Sequence, residues 1–143
     1  MRVGGSPDRR TDRLSCSILV VDDEPDLPDL FRQRFRREVR EGVYVLHFAR
    51  SGEDGLRRVA EIGHELIVIL SDINMPGIDG LELLRRTKEL RPELPVLILT
   101  AYGDDERRRR AGELGAAAFL TKPIDFGVLK VRLGELVRGA AGG

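Results

Sequence analysis

The chain has 143 residues, enough for one domain with a single core, and 24 basic side chains balance 24 acidic ones for a formal net charge of zero. That balance gives no electrostatic reason to bind nucleic acid or an anionic membrane, and no apolar run approaches the ~20 residues needed to span a bilayer. Cys16 is the sole cysteine, which excludes an intramolecular disulfide and fits a reducing cytoplasm.

Residues 1–15 are polar, with Gly4, Gly5 and Pro7 among mixed charges, and read as a flexible arm. The charges near the N-terminus are followed by no apolar segment, which does not read as a secretory signal. Five short apolar runs follow: Ile18-Leu-Val-Val21, Val43-Tyr-Val-Leu46, Leu66-Ile-Val-Ile-Leu70, Val96-Leu-Ile-Leu99 and Ala116-Ala-Ala-Phe-Leu120. Runs apolar at every position suit strands buried on both faces. The last is the weakest strand, because alanine prefers helix.

Between the runs lie segments of helical spacing. Leu27, Leu30, Phe31, Phe35 and Val39 mark the first, with Pro28 in its opening turn. Leu56, Val59, Ala60 and Ile62 mark the second, after Ser51 as an N-cap. Leu81, Leu83, Leu84 and Leu90 mark the third, opened at Asp79-Gly80 and stopped before Pro92. Asp104 and Asp125 are placed to cap a fourth and a fifth helix. Leu114, Val128 and Leu129 read as core. Arg107 to Arg110 read first as a solvated helix face and second as an interaction surface. His47 and His64 are isolated and read as surface or strand-end histidines. Strand and helix therefore alternate five times over residues 16–138, with residues 139–143 as a flexible tail. The expected fold is α/β, a doubly wound five-stranded parallel sheet.

Ligands of such sheets bind outside the carboxyl ends of the strands. There the sequence places Asp22-Asp23-Glu24 after the first strand, Ser71-Asp72 after the third, Thr100 after the fourth and Thr121-Lys122-Pro123 after the fifth. Crowded carboxylates repel unless a cation intervenes, and an all-oxygen donor set suits Mg²⁺ better than zinc. A carboxylate beside Mg²⁺ and a lysine can accept a phosphoryl group. Loops at strand ends are commonly polar, so each residue alone carries little; the joint pattern on four strand ends carries the argument.

Ile18-Leu-Val-Val-Asp-Asp-Glu-Pro-Asp26, Ser71-Asp-Ile-Asn-Met-Pro-Gly-Ile-Asp-Gly80, Leu97-Ile-Leu-Thr-Ala-Tyr102 and Phe119-Leu-Thr-Lys-Pro123 resemble the receiver domain of two-component response regulators, over about Ser17 to Arg138. The resemblance implies a flavodoxin-like (βα)5 fold and a Mg²⁺-dependent phosphorelay module. It makes Asp72 the phosphoacceptor and Asp22 and Asp23 the acidic pair for the metal, with Asn74 giving a backbone carbonyl. Thr100 becomes the switch hydroxyl, Lys122 the partner of the phosphoryl group and Phe119 the switch aromatic. Lys122-Pro123 resembles a bond that is cis in this family. The implied partners are a sensor histidine kinase or phosphotransfer protein, and a second copy docking through the fourth helix, fifth strand and fifth helix. Neither nucleic acid nor membrane is expected to bind. Asn74 and Tyr102 occupy positions that govern water access, and slow self-dephosphorylation is expected.

Two other readings compete. A haloacid-dehalogenase-type phosphatase needs a general acid two residues after its nucleophile, where this chain has Asn74. A pseudo-receiver that only binds partners would not need Asp22, Asp23, Asp72, Thr100 and Lys122 together. No output segment follows Arg138, so the sequence reads either as a stand-alone domain or as a piece of a longer regulator.

Overall fold

The computed structural model describes residues 16–142, with side chains through Arg138. The arm expected over residues 1–15 and the final residue of the expected tail lie outside the described residues. Five strands form one parallel sheet: β1 (Cys16–Val21), β2 (Tyr44–Ala49), β3 (Leu66–Asp72), β4 (Val96–Thr100) and β5 (Ala118–Thr121), in the order β2-β1-β3-β4-β5. Among the described residues six α-helices and one 3-10 turn (Gly63–Glu65) accompany them: α1 (Leu27–Arg34), α2 (Arg36–Arg40), α3 (Gly52–Ile62), α4 (Gly80–Leu90), α5 (Asp105–Glu113) and α6 (Phe126–Gly142). This is the expected flavodoxin-like doubly wound architecture, with one more helix than (βα)5 requires.

The strand order explains the two layers of helices. The chain steps from β1 outward to β2, then returns past β1 to β3 and continues to β5. Crossovers of one hand therefore fall on one face before the reversal and on the other after it. Ile18, Val20, Val68, Leu70, Leu97 and Leu99 point to the face covered by α1 and α6, with Leu27, Phe31, Leu129 and Leu133. Leu19, Val21, Ile69 and Ile98 point to the other, with Val59 of α3, Leu83 and Leu84 of α4 and Ala111 of α5. Every residue of β4 is buried, as a continuous apolar run requires.

Several boundaries differ from the sequence expectation. The first helical segment divides at Phe35, whose φ of −105° and ψ of 16° leave the helical region. Phe35 is fully buried there, stacked on Phe31 at 5.7 Å between ring centroids, and its burial takes precedence over helix continuity. β2 runs on to Ala49 because Leu46 to Ala49 pair with Ile18 to Val21. β5 begins at Ala118, two residues later than expected. Val128 is exposed, against its reading as core. Leu129 and Leu133 form the buried i, i+4 stripe of α6, and Val128 is turned away from it. Leu129 is buried as expected, and Leu114 packs partly against the core.

Ser51 and Asp125 cap their helices as the sequence suggests, and Asp79 caps the helix that the sequence only opens near it. Ser51 Oγ accepts from the Asp54 amide, Asp79 Oδ1 from the Glu82 amide and Asp125 Oδ1 from the Val128 amide, at 3.0, 3.0 and 3.1 Å. Asp104 stands at the N-cap of α5 but makes no such bond. Gly80 lets α4 begin directly beneath the end of β3. A Cβ there would lie 2.3 Å from the Asp72 carbonyl oxygen and 2.7 Å from Ile73 Cα. Among the described residues, no helix is long and apolar enough to cross a membrane.

Candidate phosphoacceptor site

The reversal of strand order between β1 and β3 opens a crevice at the carboxyl edge of the sheet. β1 delivers Asp22 and Asp23 to it, β3 delivers Asp72 and the segment after β5 delivers Lys122. Each of the three aspartates offers a carboxylate oxygen, and these lie within 4.8 Å of one another, an acidic cluster able to hold a metal ion. Asp22 is buried and Asp72 half-buried, whereas Asp23 is exposed.

Lys122 Nζ donates to Asp22 Oδ2 at 2.8 Å and to Asp72 Oδ2 at 3.2 Å, with Glu24 Oε1 at 4.0 Å. Asp22 Oδ1 accepts from the Glu24 amide at 2.9 Å, and Asp72 Oδ1 from the Asn74 amide at 3.3 Å. Burial, followed by the charge of Asp22, pushes the Asp72 carboxyl above its ordinary pKa against the opposing pull of Lys122. Burial alone would lower the pKa of Lys122, but its bonds to Asp22 and Asp72 and their charges hold it above the ordinary value. The pocket is therefore an ion cluster with more negative than positive charge. That donor set fits a hard divalent cation, which would offset the repulsion between Asp22 and Asp72.

Thr100 is buried at the end of β4, one residue beyond the Asp72–Leu99 pair, and its carbonyl accepts from the Lys122 amide at 2.8 Å. Phe119 lies on β5 opposite Ile98 and packs on the α3–α5 face of the sheet, with the Arg108 guanidinium 4.8 Å from its ring centroid. The Lys122–Pro123 peptide is cis.

The family pattern described as the response regulator receiver domain matches residues 18–134. The chain belongs to the response regulator receiver family. It is 34% identical over 125 residues to the two-component response regulator PhoP of Pseudomonas aeruginosa, covering 87% of this chain and 53% of that protein. It is 37% identical over 140 residues to the transcriptional regulatory protein TcrA of Mycobacterium tuberculosis, covering 96% of this chain and 53% of the relative. The receiver chain thus spans about half the length of these two curated relatives. The crystal structure of a response regulator receiver domain protein from Clostridium thermocellum superposes with a TM-score of 0.80 at 27% identity, over 88% of this chain and 97% of that one.

Contacts around this receiver site also include residues that the sequence did not single out for it. The Asn74 side-chain amide donates to the carboxylate of Asp104, which the sequence offers only as a helix cap. Arg107 Nη2 donates to Asp79 Oδ2 at 2.6 Å and to the Ile73 carbonyl at 3.0 Å, tying α5 to the loop that follows Asp72. Burial works against ionisation of Asp79, but the Glu82 amide and Arg107 hold its carboxyl below the ordinary range. The arginine run is therefore not a single solvated face. Arg107 turns inward, Arg108 covers Phe119 and Arg109 pairs with Glu106 and Glu113 along the helix surface. Four-residue proximity in sequence carried no signal of these separate contacts, because each partner except those of Arg109 lies on another element.

Proposed function

We propose that this receiver domain accepts a phosphoryl group on Asp72 from a sensor histidine kinase or phosphotransfer protein in the cytoplasm. The observation that carries the reading is the placement of Lys122 on both Asp22 and Asp72, inside a cluster of three carboxylates at the topological switch point. Asp22, Asp23, Asp72 and the Asn74 carbonyl would hold Mg²⁺, which when bound offsets charge on the transferring oxygens. Asp72 supplies the attacking carboxylate oxygen. As its bond to phosphorus forms, the bond between phosphorus and the donor atom breaks, and an acyl phosphate results. Lys122 is placed to follow the new negative charge, and the buried Thr100 hydroxyl to hydrogen-bond a phosphoryl oxygen.

The signal leaves through the face formed by α5, β5 and α6, which corresponds to the fourth helix, fifth strand and fifth helix of the sequence reading. A Thr100 displacement makes room that the Phe119 ring fills, and the altered face docks a partner or a second copy. Exposed Val128 and Val131 on α6 offer apolar surface to such a contact. Self-dephosphorylation is slow in this reading, since Tyr102 is fully exposed and brings no carboxylate to orient water.

Acetyl phosphate with Mg²⁺ tests the assignment by intact mass. The parent gains one phosphoryl group, and Asp72→Asn gains none. A variant that still gains the mass would move the acceptor elsewhere.

A further inference from the structure

Ser51, Asp79 and Asp125 each spend a side-chain oxygen on the first turn of the helix they open. Asp104 occupies the same position before α5 and spends its carboxylate in the other direction. Its Oδ2 accepts from the Ala101 amide at 2.8 Å, and Oδ1 and Oδ2 accept from Asn74 Nδ2 at 3.2 and 3.3 Å. Ala101 directly follows Thr100, and Asn74 lies two residues beyond Asp72, whose Oδ1 accepts from the Asn74 amide. One carboxylate thus straps the loop after β3 to the loop after β4, across the rim of the phosphoacceptor site.

The strap costs α5 its cap. An N-cap carboxylate normally accepts from the second or third helical amide, here Glu106 or Arg107, where the helix dipole also favours an anion. Asp104 therefore has two alternative sets of donors, one that it bonds and one that it leaves unbonded. Its backbone reports which set it serves: ψ is 27° at Asp104, against 163° at Ser51 and −177° at Asp79, the extended values that accompany their caps.

A phosphoryl group on Asp72 brings about −1.5 to −2 charges and three strong acceptor oxygens next to Asn74 and Ala101. It competes for those donors and repels a second anion on the same rim. We propose that Asp104 is a two-position positioning residue. It straps Asn74 to Ala101 while Asp72 is unmodified and caps α5 when Asp72 carries a phosphoryl group. This rests on the reading of Asp72 as acceptor. It adds a path to the output face that does not pass through Phe119: the loop of Tyr102 and Gly103 turns with Asp104, and the first turn of α5 tightens.

The test is amide hydrogen exchange with and without saturating beryllofluoride and Mg²⁺, in the parent, Asp104→Asn and Asp104→Ala, with calorimetry for binding. In the parent, exchange at Glu106 and Arg107 slows by about three- to tenfold on binding, the scale of one helix cap. Asp104→Ala binds beryllofluoride but shows no slowing there. Asp104→Asn keeps a capping oxygen, loses the charge and binds beryllofluoride about three- to tenfold tighter at low salt, with the gain shrinking as salt rises. Unchanged exchange at both amides in a parent that binds, or full slowing in Asp104→Ala, overturns the inference. A salt-independent gain in Asp104→Asn, or none, overturns its electrostatic basis. A parent that binds no beryllofluoride instead overturns the reading of Asp72, and this inference with it.

Discussion

The face of the sheet under α1 and α6 is closed by interlocked rings, whereas the buried core of the face under α3, α4 and α5 is aliphatic, with Phe119 packed at its side, and is tied at its rim by polar bonds. On the first face Phe31 stacks on Phe35, and Phe126 meets both edge-on at 5.1 and 6.1 Å between ring centroids. Phe48 meets Phe31 edge-on, and Tyr44 meets Phe35 in the same way. Such a cluster has few alternative arrangements, because moving one ring unpacks the others. On the second face, α5 buries only Ala111 and reaches the site through separate contacts: Arg107 to Asp79, Arg108 to Phe119, and Asp104 to Asn74 from the residue preceding it. Each contact is individually weak and can be exchanged. The contrast leads us to propose the α1–α6 side as the support for Asp22 and Lys122, and the α5 side as the part that moves with a change at Asp72.

The largest test of that contrast is Phe31→Ala. Its ring is fully buried and touches three other rings, so removal should cost about 3–5 kcal/mol of unfolding free energy in urea titration. At low denaturant the surviving folded protein should still accept phosphoryl from acetyl phosphate. A loss below about 1 kcal/mol would mean that the aromatic face repacks easily, and the proposed division between support and moving part would fail.

A smaller effect is expected at the rim. Arg107→Met removes one ion pair and one bond to the Ile73 carbonyl but keeps much of the aliphatic stem. With both side chains of the pair about one-third exposed, the cost should be about 1 kcal/mol or less. The sharper readout is local. Amide exchange in α5 should accelerate while that in α1 and α6 stays as in the parent. Equal acceleration on both faces would show that the two sides open as one unit.

The smallest effect is a pH dependence without metal. The folded-state pKa of Asp72 is raised by burial and by Asp22, so its contribution to stability is present below the unfolded-state value and is lost as pH rises through the folded value. Asp72→Asn carries no such titration. The variant should gain stability relative to the parent across that window, from the ordinary carboxylate range upward, and the difference should then level off. Thermal unfolding across this range measures it. A variant that loses ground to the parent as pH rises would show that Lys122 more than compensates the burial of Asp72. Added Mg²⁺ should narrow the difference, because the cation offsets the same repulsion in the parent.

The order of elements, the capping roles of Ser51 and Asp125, and the gathering of Asp22, Asp23, Asp72, Thr100 and Lys122 near one edge were all legible in the sequence. Their signals are local: an apolar run of strand length, a cap before a helical period, and a polar residue where each run stops. Alternation of strand and helix then brings the strand ends together with no further information. The division of the first helix at Phe35, the extension of β2 to Ala49 and the outward turn of Val128 were decided by packing, since each depends on which neighbour is buried. The same holds for the strap from Asp104 to Asn74 and the tie from Arg107 to Asp79, which join residues 30 and 28 positions apart. An aspartate before a helix has the same local sequence signature whether its carboxylate turns toward the helix or away from it. The Ala101 amide is a local competing donor, but the Asn74 side chain reaches Asp104 only because the tertiary structure brings its loop alongside.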